Sequence, residues 1–445
     1  MGKPDRLFLL LHRLGILHPA VCLSRYVRHE VLRGVHHNTQ LITNQLARFD
    51  MVTDSLMQLP GAYCLPTGRG WREANYMLLA DTFKDCYGYE HALATAQGRT
   101  AELILASTLA KPGKIVICNL LFPTTRLHPE VVGAQALATP IPEAYDLGSE
   151  HPFKGNLDID ALRTAIGKHG ADQIAYVMVE TSVNASGGHP VSMRNIQDAY
   201  RVANDAGVPL FIDACRLLEN AWLIREREPG YSGRPVADIV REFCSHSDGC
   251  TMSATKDFPV DAGGFIATRR QELHYAFQDM LMLVGEGLSV DSKARLCAGV
   301  QSSFRDEGLL RRRVENAGAL WRGLREGGVP VVSPVAGYAV FIDSGDLLRT
   351  IPEHQFPEPA FLAQLYLETG VLAAVNLLTP EQEARGIRLI RLAIPIGRYS
   401  PRAMNIVARK VAGLWHRRAE LRGLQRTHRP PCRTGDFLAE YEPLP

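Results

Sequence analysis

Long apolar runs are missing from this sequence. None approaches the roughly 20 residues of a membrane-spanning helix, so no membrane partner is expected. The apolar stretch from Leu7 to Leu17 is broken by His12 and Arg13, and no small-residue cleavage site follows it. It does not read as a signal peptide. Paired cysteines are missing too. The nine cysteines are scattered, odd in number and without a CxxC pair. That argues against a zinc site or a disulfide framework, and for reduced thiols in a cytoplasm. No charge of one sign dominates. With 49 basic and 47 acidic residues the formal net charge is +2, which gives no field for nucleic acid or an anionic surface. Internal repeats and low-complexity tracts are absent as well.

What remains is an ordinary globular composition, 46% hydrophobic and 22% charged, over 445 residues. That length exceeds one ordinary core, so a large and a smaller domain are expected. Residues 1–50 are basic and histidine-rich and read as an arm packing with the small domain. Residues 51–310 read as the large domain and 311–445 as the small one. Lys114–Asn119, Ile174–Glu180 and Pro209–Asp213 are short and continuously apolar, as strands buried on both faces are. Between the last two, Ser192 is an N-cap candidate. Met193, Ile196, Ala199, Tyr200 and Ala203 share one helical face, and Gly207 sits where a helix ends. This is a βαβ unit, so the class is α/β with a mostly parallel sheet. After about residue 311 a long basic helix (Leu309 to Gly327) precedes strands at 330–332 and 338–342 and a helix near 360–369. That second part reads as α+β. The Pro- and Arg-rich tail after Arg422 reads as irregular.

Chemistry-bearing residues fall at the ends of these strands, where open parallel sheets bind ligands. Asp213 ends one strand, and a buried aspartate needs a cationic partner. A protonated pyridine nitrogen would supply it; in isolation, helix capping or a metal is the commoner explanation of such a residue. Lys256 follows in Ser253-Ala-Thr-Lys-Asp257, close to Gly263-Gly264. A lysine there can reach a cofactor aldehyde, although most lysines are solvated. Gln97-Gly98-Arg99 leads into a helix beginning near Thr100, a phosphate cradle or a plain helix start. Asn184 can hydrogen-bond a phenolic oxygen, Phe122 can stack on a flat ring, and Arg391 can clamp a carboxylate in bidentate fashion. All six in this order point to pyridoxal 5′-phosphate (PLP) and an L-amino acid.

The same stretches resemble the β-eliminating lyases, the family of tryptophanase and tyrosine phenol-lyase. The resemblance runs from about residue 38 to 423. It rests on Thr53-Asp-Ser55, Gly88-Tyr89, Gln97-Gly-Arg99, Phe122 with Thr124-Thr125, and Val183-Asn-Ala-Ser-Gly-Gly-His-Pro-Val-Ser192. It continues through Asp213-Ala-Cys-Arg216, Glu219-Asn-Ala221, Asp248-Gly-Cys-Thr-Met-Ser253, Lys256-Asp257, Gly263-Gly264, Gln355-Phe-Pro357, and Arg391 with Ile394-Pro395.

The resemblance implies the aspartate-aminotransferase-like fold of type I PLP enzymes. It implies that Lys256 forms the internal aldimine and then takes the substrate α-proton, and that Asp213 pairs with the pyridinium. Arg216 and Asn184 would lie near the phenolic oxygen. Ser55, Gln97, Gly98 and Ser253 would hold the phosphate with Arg99 close by, Phe122 would stack, and Arg391 would bind the substrate carboxylate. Elimination would pass through a quinonoid and an aminoacrylate. A homodimer or homotetramer with its site near a subunit interface is implied.

Departures from the family pattern set the substrate expectation. Thr255 stands where the family has a first lysine, and Leu56 replaces a glycine. The segment Thr67-Gly-Arg-Gly-Trp-Arg72 holds neither the acid of the family's cation site nor its proton-donating tyrosine, so Trp71 is the aromatic residue left to face substrate. The arginine that recognises phenol falls at Asn376. A monovalent cation is therefore expected to matter little. The expectation is β-elimination from an amino acid other than tyrosine or tryptophan. The alternatives are an aminotransferase or specialised biosynthetic reaction on the same cofactor, and a non-catalytic PLP-binding protein.

Overall fold

Short apolar runs bounded by turn residues become the strands of one dominant sheet. The computed structural model describes residues 23–54, 75–120, 122–285, 287–432 and 435–444. The first strand, Phe49–Asp50 (β1), is two residues long. Seven strands follow: His91–Thr95 (β2), Ile115–Cys118 (β3), Gln135–Ala138 (β4), Ile174–Glu180 (β5), Leu210–Asp213 (β6), Gly249–Ser253 (β7) and Gly264–Thr268 (β8). Their spatial order is β2-β8-β7-β6-β5-β3-β4. Within it β8 runs antiparallel to both neighbours, and the pairs from β7 across to β4 are parallel.

The central parallel strands β3, β5 and β6 are apolar up to their carboxyl ends because both faces are covered. All seven residues of β5 are buried. The helix Met193–Asp205 joins β5 to β6. Ser192 caps it by accepting the Asn195 N–H, and Met193, Ile196, Ala199 and Ala203 enter the main core. Gly207 follows its end with φ +71°, a left-handed conformation that glycine adopts without a Cβ penalty.

A second sheet comes from later in the chain. Ala339–Asp343 (β9) and Val371–Leu372 (β10) precede Ala374–Val375 (β11) and Leu389–Ala393 (β12). β11, β12 and β9 form an antiparallel sheet. The helices Gly308–Glu326 and Pro401–His416 pack with it through Leu320, Leu324, Val407 and Trp415. β10 pairs in parallel with β1, which ties the segment before Asp54 to this smaller sheet. Among the described residues no helix is long and apolar enough to cross a membrane.

Three local expectations change. The tail is not irregular: Leu424–His428 (β13) pairs antiparallel with Glu440–Pro443 (β14). Leu424, Ala439 and Tyr441 anchor it against Ile351 and Ala360, a burial that the Pro and Arg content hides. Residues 330–332 make a single bridge, Val331 to Ile342, rather than a strand, since Pro330 has no N–H to donate and Pro334 cannot extend the ladder. The helix after Gln97 begins at Gly98 rather than Thr100.

Candidate active site

The carboxyl ends of the parallel strands open onto one cavity of about 420 Å³. Gln97, Gly98, Arg99 and Phe122 line it from one side, and Asp213, Arg216, Ser253 and Lys256 from the other. Arg391, from the smaller sheet, completes the wall. Asn184 stands directly behind, with its Oδ1 accepting Arg391 Nη1 at 3.4 Å. Ser55 and Trp71 lie outside the described residues.

One end of the cavity is built by close backbone packing. Gln97 is the N-cap of the helix Gly98–Leu109, and its side chain makes no capping hydrogen bond. The N–H groups of the first turn and the helix dipole favour an anion. A Cβ on Gly98 would stand 2.8 Å from the Ser253 backbone N, and one on Gly264 2.6 Å from the Gly98 N. Glycine at both places lets the helix start, the end of β7 and the start of β8 meet.

The base of the cavity is acidic. Asp213 is 4% exposed, accepts the Cys215 N–H at 3.0 Å, and takes part in no ion pair among the described residues. Burial, then the charge of Glu102, push its carboxyl up to about 6. A buried carboxylate raised in this way gains from a cation, and a pyridinium nitrogen is one. Thr181 Oγ1 donates to the Asp213 and Cys215 carbonyls at 3.0 Å and holds the turn that carries Arg216.

Arg216 takes a left-handed conformation, φ +64°. Its Nη2 donates to Asp54, and its guanidinium lies 3.8 Å above the Tyr338 ring. Its buried Nε has no hydrogen-bond partner among the described residues, and the same holds for Arg391 Nε. Two orphaned guanidinium N–H groups at one cavity call for acceptors. The phenolic oxygen of PLP and a substrate carboxylate have that chemistry. Orphaned donors, a glycine cradle and an unpaired aspartate together fit the cofactor.

The sequence alone gives no role to Asp54, Glu180 or Arg313. Asp54 sits inside the quoted Thr53-Asp-Ser55 motif; its Oδ1 accepts Lys256 Nζ at 2.7 Å. Arg313, 1% exposed, donates to the carbonyls of Lys256 (2.8 Å), Asp54 (2.6 Å) and Ile394 (3.1 Å). It also pairs with Glu219. Glu180 ends an apolar strand just as Asp213 does, which was its available signal.

Asn184 belongs to a hydrogen-bonded chain that leaves its Nδ2 one further N–H to donate. Tyr338 Oη donates to Asn184 Oδ1 at 2.7 Å. Asn184 Nδ2 donates to Asn376 Oδ1 at 3.1 Å, and Asn376 Nδ2 donates to the Leu377 carbonyl. Burial pushes the Tyr338 phenol up to about 12.

Comparison with known proteins agrees with this geometry. The beta-eliminating lyase family profile matches residues 72–410. The chain is 34% identical over 451 residues to tyrosine phenol-lyase of Symbiobacterium thermophilum, covering 97% of this chain and 98% of that one. Tyrosine phenol-lyase of Nostoc punctiforme is 35% identical, with 94% and 93% covered. A probable beta-eliminating lyase of Trichomonas vaginalis is 32% identical, with 93% and 94% covered. Among solved structures, serine palmitoyltransferase of Sphingomonas wittichii superposes with TM-score 0.61 at 15% identity, covering 89% of this chain and 97% of that one. L-threonine transaldolase of Pseudomonas fluorescens in its internal aldimine state gives 0.57 at 15% identity, covering 89% and 88%. The fold is accordingly that of type I PLP enzymes, a mostly parallel sheet with a smaller α+β part. The chain belongs to the beta-eliminating lyase family and is a PLP-dependent lyase.

Proposed function

We propose that this enzyme removes a β-substituent from an L-amino acid, releasing pyruvate and ammonia, and that the departing group is neither phenol nor indole. The observation that carries the reading is the meeting of Lys256, Asp213 and Arg391 on one cavity. When bound, PLP supplies the electron sink that acidifies the substrate α-hydrogen and lets a β-substituent leave.

The protein's part is to hold and to move protons. Gln97, Gly98, Arg99, Ser253 and Ser55 hold the phosphate. Phe122 covers one face of the ring, and Asp213 keeps its nitrogen protonated. Arg216 Nε and Asn184 meet the phenolic oxygen. Arg391 takes the substrate carboxylate and so aims the α-hydrogen at Lys256, the base that removes it.

The leaving-group limit rests on the sequence of the segment 67–72 and on what the described wall lacks. Expelling phenol or indole requires a proton placed on a ring carbon. Tyr338 is a poor donor, since its hydroxyl proton is committed to Asn184 and burial raises the phenol. Asn376 is hydrogen-bonded to Asn184 and to the Leu377 carbonyl, and it carries no charge with which to hold a phenolate. Tyr63, the Tyr76 side chain and Trp71 lie outside the description. A thiolate or chloride departs as a stabilised anion and needs no such acid.

The same reading assigns residues 51–310 to a cofactor domain, 311–445 to a small domain and 1–50 to an arm. It places the enzyme in the cytoplasm as a homodimer or homotetramer with its site near the subunit contact. Exposed Met282 and Leu283, at 82% and 79%, support such a contact. Their helix, Gln271–Val284, leads through Gly287, bridged to Thr95, toward the cavity rim. A panel of amino acids tests the function, with visible absorbance and pyruvate recorded together. Pyruvate supports elimination; an oxo acid that keeps the side chain would mean transamination.

A further inference from the structure

Glu180 is a buried acid for which the mechanism above has no use. It ends β5 with Asp213 as its register partner on β6. It is 3% exposed and lines the cavity. Its two carboxylate oxygens serve different elements. Oε1 accepts the Asn184 N–H at 3.2 Å, and Oε2 accepts the Phe122 N–H at 3.0 Å. Asn119 pins the Glu180 backbone from both sides, accepting its N–H at 3.0 Å and donating to its carbonyl at 2.8 Å. The carboxyl group is therefore held in place, and no ion pair among the described residues includes it.

We propose that Glu180 is a positioning residue that fixes Phe122 and Asn184 against the cofactor ring, and that its ionisation sets how tightly the ring is held. The inference rests on the reading of Phe122 and Asn184 as ring contacts. One is read as facing the flat of the ring and the other its oxygen edge, so a single carboxyl group sets the gap between them.

The charged and titratable surroundings come from several elements. Asp213 on β6, Arg216 after it, Cys118 on β3 and Tyr338 before β9 all act on Glu180 or are acted on by it. Glu102, from the helix Gly98–Leu109, acts on Asp213. Burial and Asp213 favour the neutral acid, while the two N–H groups and Arg216 favour the anion; the balance puts the group at about 8. Below that pH Glu180 is protonated, and one of its two N–H contacts is weakened. Above it the carboxylate holds both. A pyridinium beside Asp213 favours the anion further, so cofactor binding and loss of the Glu180 proton promote each other.

The test is equilibrium dialysis of PLP against wild type, E180Q and E180A from pH 7 to pH 9. Titrations that do not interact with Glu180 cancel in the comparison; Asp213 is coupled to it, so the difference between the curves reports the Glu180–Asp213 pair. Wild-type affinity should rise severalfold relative to E180Q across that range, about tenfold being the ceiling for a one-unit lowering of the Glu180 group by bound PLP. E180A should bind more weakly than E180Q throughout. E180D provides a check if either variant misfolds: it still titrates but is one methylene too short for both N–H groups, so it should keep the pH dependence and bind more weakly. Parallel curves for wild type and E180Q, or unchanged affinity in E180A, would overturn the proposal. Phe122→Ala separates the two readings. If it leaves PLP affinity unchanged, the assignment of Phe122 fails; if it weakens binding while the Glu180 variants do not, only the role of Glu180 fails.

Discussion

Asp54 Oδ1 accepts a hydrogen bond from Lys256 Nζ at 2.7 Å, while its other oxygen takes Arg216. One carboxylate, 5% exposed, thus holds two cations that line the cavity. Burial alone would raise this acid; Lys256, Arg216, Arg391 and Arg313 outweigh burial and hold it well below its ordinary range. Its stabilising contribution is therefore complete above the ordinary carboxylate range and is lost as pH falls through the depressed value.

Removing that carboxylate strands Arg216, which is 6% exposed. Breaking a buried pair by deleting one partner costs about 3–5 kcal/mol. Asp54→Ala should lower the stability of the cofactor-free protein by that amount in urea unfolding at pH 7. A loss under about 1 kcal/mol, the range of an exposed ion pair, would show that the pair is surface-like.

Lys256 is the cofactor lysine in this account. Borohydride treatment of the PLP-loaded protein should fix a pyridoxyl label on Lys256, and peptide mass mapping reads it. Lys256→Ala should abolish turnover. A label on another lysine, such as Lys293, contradicts the assignment.

Gly98 lets the helix start meet β7. In Gly98→Ala the new Cβ would lie 2.6 Å from Ser253 Cβ and 2.8 Å from its Cα and N. Backbone cannot yield as a flexible side chain can. PLP affinity in a fluorescence titration should fall at least about tenfold, one lost phosphate hydrogen bond in the charged range. Unchanged affinity would place the phosphate elsewhere.

Arg391 reaches the cavity from the smaller sheet, so it should separate substrate from cofactor binding. Truncating one partner of a buried, hydrogen-bonded charge pair costs about 2–5 kcal/mol. Arg391→Ala should weaken amino-acid binding on that scale, read from spectral titration, and leave PLP affinity nearly unchanged. Loss of PLP at normal substrate affinity is the opposite result.

Much of the site was legible because it obeys one local rule. An apolar run that ends in a charge, as at Asp213, announces a strand end at a ligand crevice, and Lys256 and Arg391 follow in the same register of elements. Arg313 was not legible. It is one of three consecutive arginines, Arg311, Arg312 and Arg313. Helical spacing alone cannot say which of them turns inward. Its partners Lys256, Asp54, Glu219 and Ile394 lie far along the chain. Glu180 carried the same signal as Asp213 but has no counterpart in the cofactor's own chemistry. The tail strands were hidden because β13 buries only Leu424 among exposed residues.

The central claim is that this site eliminates a group able to leave as an anion and does not expel an aromatic ring. The direct measurement is pyruvate release from S-substituted cysteines and β-chloroalanine beside phenol and indole release from L-tyrosine and L-tryptophan, each with and without potassium. The account predicts steady pyruvate from the first pair. It predicts rates at least about a hundredfold lower for the aromatic substrates, the low end of what a placed acid contributes, and little response to potassium. Brisk release of phenol or indole, or strict dependence on potassium, would contradict it.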